Sequence, residues 1–147
     1  MRNVATAVRQ DNIFYKLSTL LKYSVAWFDL PEYNDERDEY IQTGIRPCIV
    51  VSNNDCNRSR GDVITVIPIT SSTTKVPLPT HYYIDTVEAK KIGLKKASTV
   101  LAEGITSISK RRMIGNIGQI TNPDIQKRID EVVLIHLGLA YLLESYL

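Results

Sequence analysis

The sequence predicts an α+β chain, mainly β: a small barrel-like sheet with one helix after it and another before it. Short apolar or alternating runs recur from Tyr23 to Ile120, separated by clusters of Gly, Pro, Asn, Asp and Ser. From Asn122 the apolar residues switch to helical spacing. The length, 147 residues, suits one domain that can bury a core without disulfides. Several short strands closed by a terminal helix imply a sheet covered on one side.

Residues 1 to 10 show no apolar pattern. From Asp11, a candidate N-cap, Ile13, Phe14, Leu17, Leu20 and Leu21 fall at helical spacing. This predicts an amphipathic helix, packed on its own domain or on a partner. Residues 1–22 are thus a helical extension and 23–147 the barrel domain. Tyr23 to Leu30 reads as the first strand, with Val25, Trp27 and Phe28 facing the core, and Pro31 ends it. A polar loop follows to Gly44. Cys48 to Val51 is continuously apolar, as in a central strand buried on both faces. Asn53 to Arg60 is dense in turn formers. Val63 to Ile69 is a strand whose Pro68 implies an edge or bulge. His81 to Ile84 is a short strand, and Glu88 to Ile92, ended by Gly93, a short helix. Ser98 to Ile108 is strand-like with a break at Gly104, and Ile117 to Ile120 a short strand. Asn122-Pro123-Asp124 starts the last helix with a cap, a proline at the first position and a first-turn acid. Its stripe, Ile125, Ile129, Val132, His136, Leu139 and Leu143, carries it to about Tyr141 or beyond and makes His136 a packed core histidine.

The net charge of +2 is unevenly spread. Residues 32 to 39 hold five acids and one arginine, a local −4, so the remainder carries +6. That asymmetry fits a basic nucleic-acid face and a separate acidic loop beside Arg46. Two cysteines exclude a disulfide scaffold, and no Cys/His spacing suits zinc. The apolar runs are too short for a membrane span, and Asp11, Asn12 and Lys16 interrupt any signal-like layout. A reducing cytoplasm is the expected compartment, with no cofactor and no metal.

The segment richest in chemistry runs from Gly44 to His81. It reads Gly44-Ile45-Arg46-Pro47, then Cys48-Ile49-Val50-Val51, a polar turn from Ser52 to Ser59, Val63 to Ile69, Thr70-Ser71-Ser72 and Leu78-Pro79-Thr80-His81. Pro47 holds Arg46 in extended backbone, so the side chain projects from a strand. Guanidinium is planar, always charged and matched to phosphate oxygens. By residue type alone, Arg46 is a surface arginine lying over the barrel, and Thr70 to Ser72 a turn bonding its own backbone. Lys90-Lys91, Lys95-Lys96 and Lys110-Arg111-Arg112 are solvated faces singly and a phosphate-attracting face together.

This order of residues resembles the MazF/PemK family of toxin endoribonucleases over roughly residues 23 to 140. The resemblance implies an SH3-like barrel with a C-terminal helix, usually a homodimer. It implies cleavage of single-stranded RNA without a metal, by attack of the ribose 2′-hydroxyl, leaving a 2′,3′-cyclic phosphate and a 5′-hydroxyl. It also implies a cognate antitoxin that blocks the RNA groove, with DNA bound only through the toxin–antitoxin complex. Carried onto this chain, Arg46 stabilises the phosphate and Thr70 is the catalytic hydroxyl. Glu103, expected on the strand Thr99 to Glu103, is the proton acceptor, or else an exposed strand residue in a salt bridge. Ser71, Ser72, Arg58, His81, Lys110 and Arg111 are candidate substrate contacts. His81 belongs to the Pro-Thr-His signature and is equally a structural residue. The chain departs from the family in its N-terminal extension and after Glu103, where Gln-x-Arg is usual and Gly104-Ile105-Thr106 stands here. Those departures keep a second reading open: a non-catalytic member acting as a protein-interaction module or gyrase-type inhibitor. A plain nucleic-acid-binding barrel is the third, opposed by the want of an aromatic stacking platform, since Tyr82 and Tyr83 alternate across a strand.

Overall fold

The structure is a computed structural model that describes residues 20–32, 41–72 and 77–144. The helix expected from Asp11 lies outside these residues except for Leu20 and Leu21, as does the acidic loop except for Glu32.

Among the described residues, seven strands form one antiparallel sheet: β1 (Ser24–Leu30), β2 (Gly44–Val50), β3 (Val63–Thr70), β4 (His81–Ile84), β5 (Ser98–Leu101), β6 (Thr106–Ser109) and β7 (Met113–Gln119). The described helices are α1 (Asn54–Arg58), α2 (Thr86–Ile92), α3 (Pro123–His136) and α4 (Tyr141–Glu144). The order across the sheet is β4-β5-β3-β2-β1-β7, with β6 also paired to β3. The mainly β, α+β class is as expected, and no described helix is long and apolar enough to cross a membrane.

Cys48, Ile49 and Val50 are all fully buried, as a two-sided strand requires. Successive residues of β1, β2 and β3 alternate between two apolar clusters. Val25, Ile49 and Ile67 join Ile125, Ile129 and Val132 of α3. Ala26, Cys48, Val50 and Val66 join Phe28, Ile64, Ile108 and Met113 on the other side. Leu20 packs in the second cluster, so the core reaches back across the boundary drawn at residue 22.

β3 is the hub. Val63–Val66 pair with β6 and Ile69–Thr70 with β5, while Val66–Pro68 pair with β2 on the other side. Pro68 falls where the partner changes, so its missing N–H breaks no ladder. It is a break inside the sheet rather than an edge. The 3₁₀ turn Ala102–Gly104 fills that break, and a Cβ on Gly104 would come within 2.7 Å of the Pro68 ring.

Several expectations are corrected. Trp27 is 41% exposed, because β1 turns it and Asp29 outward while Phe28 is buried. Asn53 to Arg60 contains α1, capped by the Asn53 side chain accepting from Cys56 N. β7 starts at Met113 rather than Ile117. Glu103 lies in the 3₁₀ turn and not on a strand. α3 ends at His136, because Gly138 takes a left-handed backbone at φ 74° two residues later. His136 is therefore exposed, and the buried stripe stops at Val132.

Candidate functional site

A cleft of about 480 Å³ opens where β1, β2, the end of β3, the residues after α2 and β7 meet. Its lining includes Arg46, Thr70, Ser71, Ser72, Lys95 and Lys96. Arg46 is exposed, and its Nε donates to Thr43 O at 3.0 Å, which orients the guanidinium from the backbone. Thr70, the last residue of β3, accepts from Ser72 N at 3.1 Å through Oγ1. The expected hydroxyl turn is therefore present, and it leaves the Thr70 O–H proton to be donated elsewhere.

Two glycines bring the lysines to this cleft. Gly93 caps α2 with a left-handed backbone, φ 112°, and a Cβ there would come within 2.6 Å of Ile117 O. A Cβ on Gly118 would overlap Ile92 O. The end of α2 thus lies directly on β7, and the chain leaving it carries Leu94, Lys95 and Lys96 along the cleft wall. β7 is bulged opposite Val25/Ala26 at Ile117, which lines the same wall.

Trp27 and Asn116 also line the cleft and were not singled out by sequence. Nothing in the residue pattern separates an outward tryptophan in an apolar strand from a core one.

The other expected residues stand apart from this cleft. Glu103 lines a separate pocket of about 260 Å³ and is held by Thr80 Oγ1, which donates at 2.7 Å, and by His81 Nε2. His81 Nδ1 accepts from Leu78 N, so Nε2 carries the proton toward Glu103. Burial raises the Glu103 carboxyl, but the hydrogen bonds from Thr80 and His81 outweigh it and hold the carboxyl below its ordinary value. A carboxylate so engaged is a weaker proton acceptor. Glu103 does not line the Arg46–Thr70 cleft; its hydrogen bonds tie the 3₁₀ turn to Thr80 and to His81 at the start of β4. Lys110 is buried, its ammonium donating to Ser59 O at 2.8 Å. That bond joins the turn after α1 to the end of β6, so the ammonium is not presented to the cleft. Arg111 is exposed near Asp62 at 3.9 Å, and Arg58 is exposed at the end of α1; neither lines the cleft.

The Glu103 shift carries a testable sign. A folded value below the unfolded one gives stability that is present at neutral pH and lost as pH falls through the acid range. Wild type is therefore expected to melt above Glu103→Gln at neutral pH, with the gap closing as the carboxyl protonates. Melting curves of both proteins across the acid range check this, and a gap independent of pH would show that the charge plays no part.

The described residues contain no group of three or more His, Cys, Asp or Glu side chains placed to hold a metal. The cleft offers a guanidinium, two ammonium groups, hydroxyls, an indole and an amide. That set attracts and positions a polyanion such as a phosphodiester backbone.

Residues 22–137 match the model of the PemK-like, MazF-like toxin family of type II toxin-antitoxin systems. A curated relative, Endoribonuclease EndoA of Bacillus subtilis strain 168, is 36% identical over 98 residues, covering 67% of this chain and 80% of that protein. Among solved structures, an endoribonuclease in complex with its cognate antitoxin from a mycobacterial species superposes with a TM-score of 0.61 at 24% identity, over 82% of this chain and 97% of the other. MazF (Form-I) from Deinococcus radiodurans gives 0.60 at 19% identity, over 81% and 96%. At such identities these two likenesses carry the fold.

Proposed function

The chain belongs to the PemK-like, MazF-like toxin family, and from that premise we propose that it is an endoribonuclease whose active site is the Arg46–Thr70 cleft. The observation that carries the reading is the meeting of Arg46, Thr70, Ser71 and Ser72 with Lys95 and Lys96 in one cleft. The substrate is single-stranded RNA. The ribose 2′-oxygen attacks the neighbouring phosphorus and gives up its proton to solvent water. The bond from phosphorus to the 5′-oxygen of the next nucleotide breaks, and that oxygen takes up a proton from solvent water. A 2′,3′-cyclic phosphate and a 5′-hydroxyl remain.

Arg46 stabilises the charge that builds on the phosphate oxygens, a preorganised electrostatic contribution. Its terminal nitrogens form a fork that spans two oxygens, and the Thr43 carbonyl sets its direction. Thr70 donates its hydroxyl proton to a non-bridging oxygen, its oxygen being already fixed by Ser72 N. Lys95 and Lys96 draw in the backbone on either side of the reacting phosphate. Glu103 supports the adjoining turn and takes no part in the proton transfers.

The EndoA relative is by name an endoribonuclease, and the mycobacterial structure pairs such an enzyme with a cognate antitoxin. We extend both roles to this chain, with RNA as substrate and a cognate antitoxin as inhibitor, and add a second copy of the chain as partner on the strength of the family resemblance alone. The cationic rim of the cleft suits an acidic antitoxin segment as well as it suits RNA.

Purified protein incubated with a long RNA in excess EDTA is expected to cut it, leaving 5′-hydroxyl and 2′,3′-cyclic phosphate ends. Activity lost in EDTA and restored by added Mg²⁺ would overturn the mechanism.

A further inference from the structure

The cleft has an aromatic wall that the phosphate chemistry does not use. The chain's single tryptophan, Trp27, is 41% exposed there, although its neighbours Ala26 and Phe28 on β1 are fully buried. Exposing an indole on a strand forgoes much of the gain of burying it. The strands beside it leave it uncovered. In register, Trp27 lies between Pro47 on β2 and Gly115 on β7. A Cβ on Gly115 would come within 3.9 Å of Trp27 Cδ1, ordinary contact distance, so any larger side chain there would start to cover the indole. Asn116, next along β7, lines the same cleft with an amide that both donates and accepts.

We propose that Trp27 is the platform on which one unpaired base of the RNA stacks, with the Asn116 amide against that base's edge. This rests on the ribonuclease reading and deepens it: the substrate must offer a base free to leave its stack, beside the phosphate held by Arg46. Duplex RNA, whose bases are already stacked and paired, fails that requirement. Stacking on an aromatic side chain is tolerant of base identity, so the indole sets strandedness, and the amide sets preference among bases.

The test reads binding alone, apart from cleavage. The probes are short fluorescent oligonucleotides with 2′-O-methyl riboses, which lack the attacking hydroxyl, one carrying bases and one abasic with the same phosphates. Wild type is expected to bind the base-bearing probe at least about tenfold tighter than the abasic one. Trp27→Ala should lose that difference while binding the abasic probe as wild type does. Trp27→Phe should keep most of it. Gly115→Leu, which leaves the indole in place and covers it, should behave like Trp27→Ala. Melting curves of each variant report folding, and Gly115→Leu keeps the test open if Trp27→Ala melts early. Equal affinity of wild type for both probes, or full base-dependent binding by both Trp27→Ala and Gly115→Leu, would overturn the stacking role. Base-dependent binding by a wild type that cuts no RNA would overturn the ribonuclease reading and leave the platform standing.

Discussion

Arg46→Ala is expected to slow single-turnover RNA cleavage by about 10²–10³ while leaving the melting temperature close to wild type. Arg46 stands near the exposed start of β2, two residues before the buried run Cys48–Val50, and the one described hydrogen bond of its side chain is to the nearby Thr43 carbonyl. Truncating an exposed head group shifts stability by well under about 1 kcal/mol. The effect therefore falls on the reaction, where the guanidinium meets charge that exists only as the phosphorus becomes five-coordinate. Arg46→Lys should rescue little, because an ammonium keeps the charge and loses the fork. Thr70→Ala should move in the same direction by a smaller factor, since Ser71 and Ser72 still present hydroxyls. The three variants measured on one RNA, with melting curves alongside, decide the matter. Cutting at the wild-type rate by Arg46→Ala would remove the centre of the mechanism and favour a protein-interaction role.

The largest expected effect on stability comes from Gly118→Ala. The new methyl has nowhere to go, because the obstacle is the Ile92 carbonyl at the end of α2 rather than the tip of a movable side chain. Either β7 or α2 must retreat, and Ile92, Leu94 and Ile120 leave their packing with it. Overpacking against backbone on this scale costs about 3 kcal/mol or more. In a domain of this size that corresponds to a fall of roughly 10 °C in melting temperature. The retreat should also draw Lys95 and Lys96 from the cleft wall, so RNA binding by the folded fraction should lose some of its salt dependence. An unchanged melting temperature would mean that α2 does not sit on β7 as described.

Much of this was legible in the residues. A continuous apolar run marked β2 because a strand buried on both faces cannot alternate. Pro47 and the strand-ending Thr70 announced two projecting groups, and both reach one cleft. Three residues misled. Trp27 passed for core because hydrophobicity does not say which way a strand turns; the glycine opposite it, on a strand most of the domain away in sequence, leaves it uncovered. Glu103 passed for a strand residue because the 3₁₀ turn exists only through the absent Cβ of Gly104 over Pro68. Lys110 passed for a free cation because a basic run does not reveal which ammonium is tied to a distant carbonyl. The overrun of the last helix has the same character: its apolar spacing continues through Leu139 and Leu143, but Gly138 has already turned the chain away.

The pairing of β1 with β7 joins Ser24 to Gln119, nearly the whole domain apart in sequence. Chains are made from the N-terminus, and a pairing of such span closes late and slowly. Arg46 and Thr70 therefore emerge from the ribosome well before the wall that carries Asn116 and Ile117, and before the seat on which Gly93 holds the two lysines. A growing or truncated chain has Arg46 and Thr70 without the rest of the cleft proposed to orient RNA against them. On the ribonuclease reading proposed above, this order of assembly would delay the threat to the chain's own message until the domain is finished.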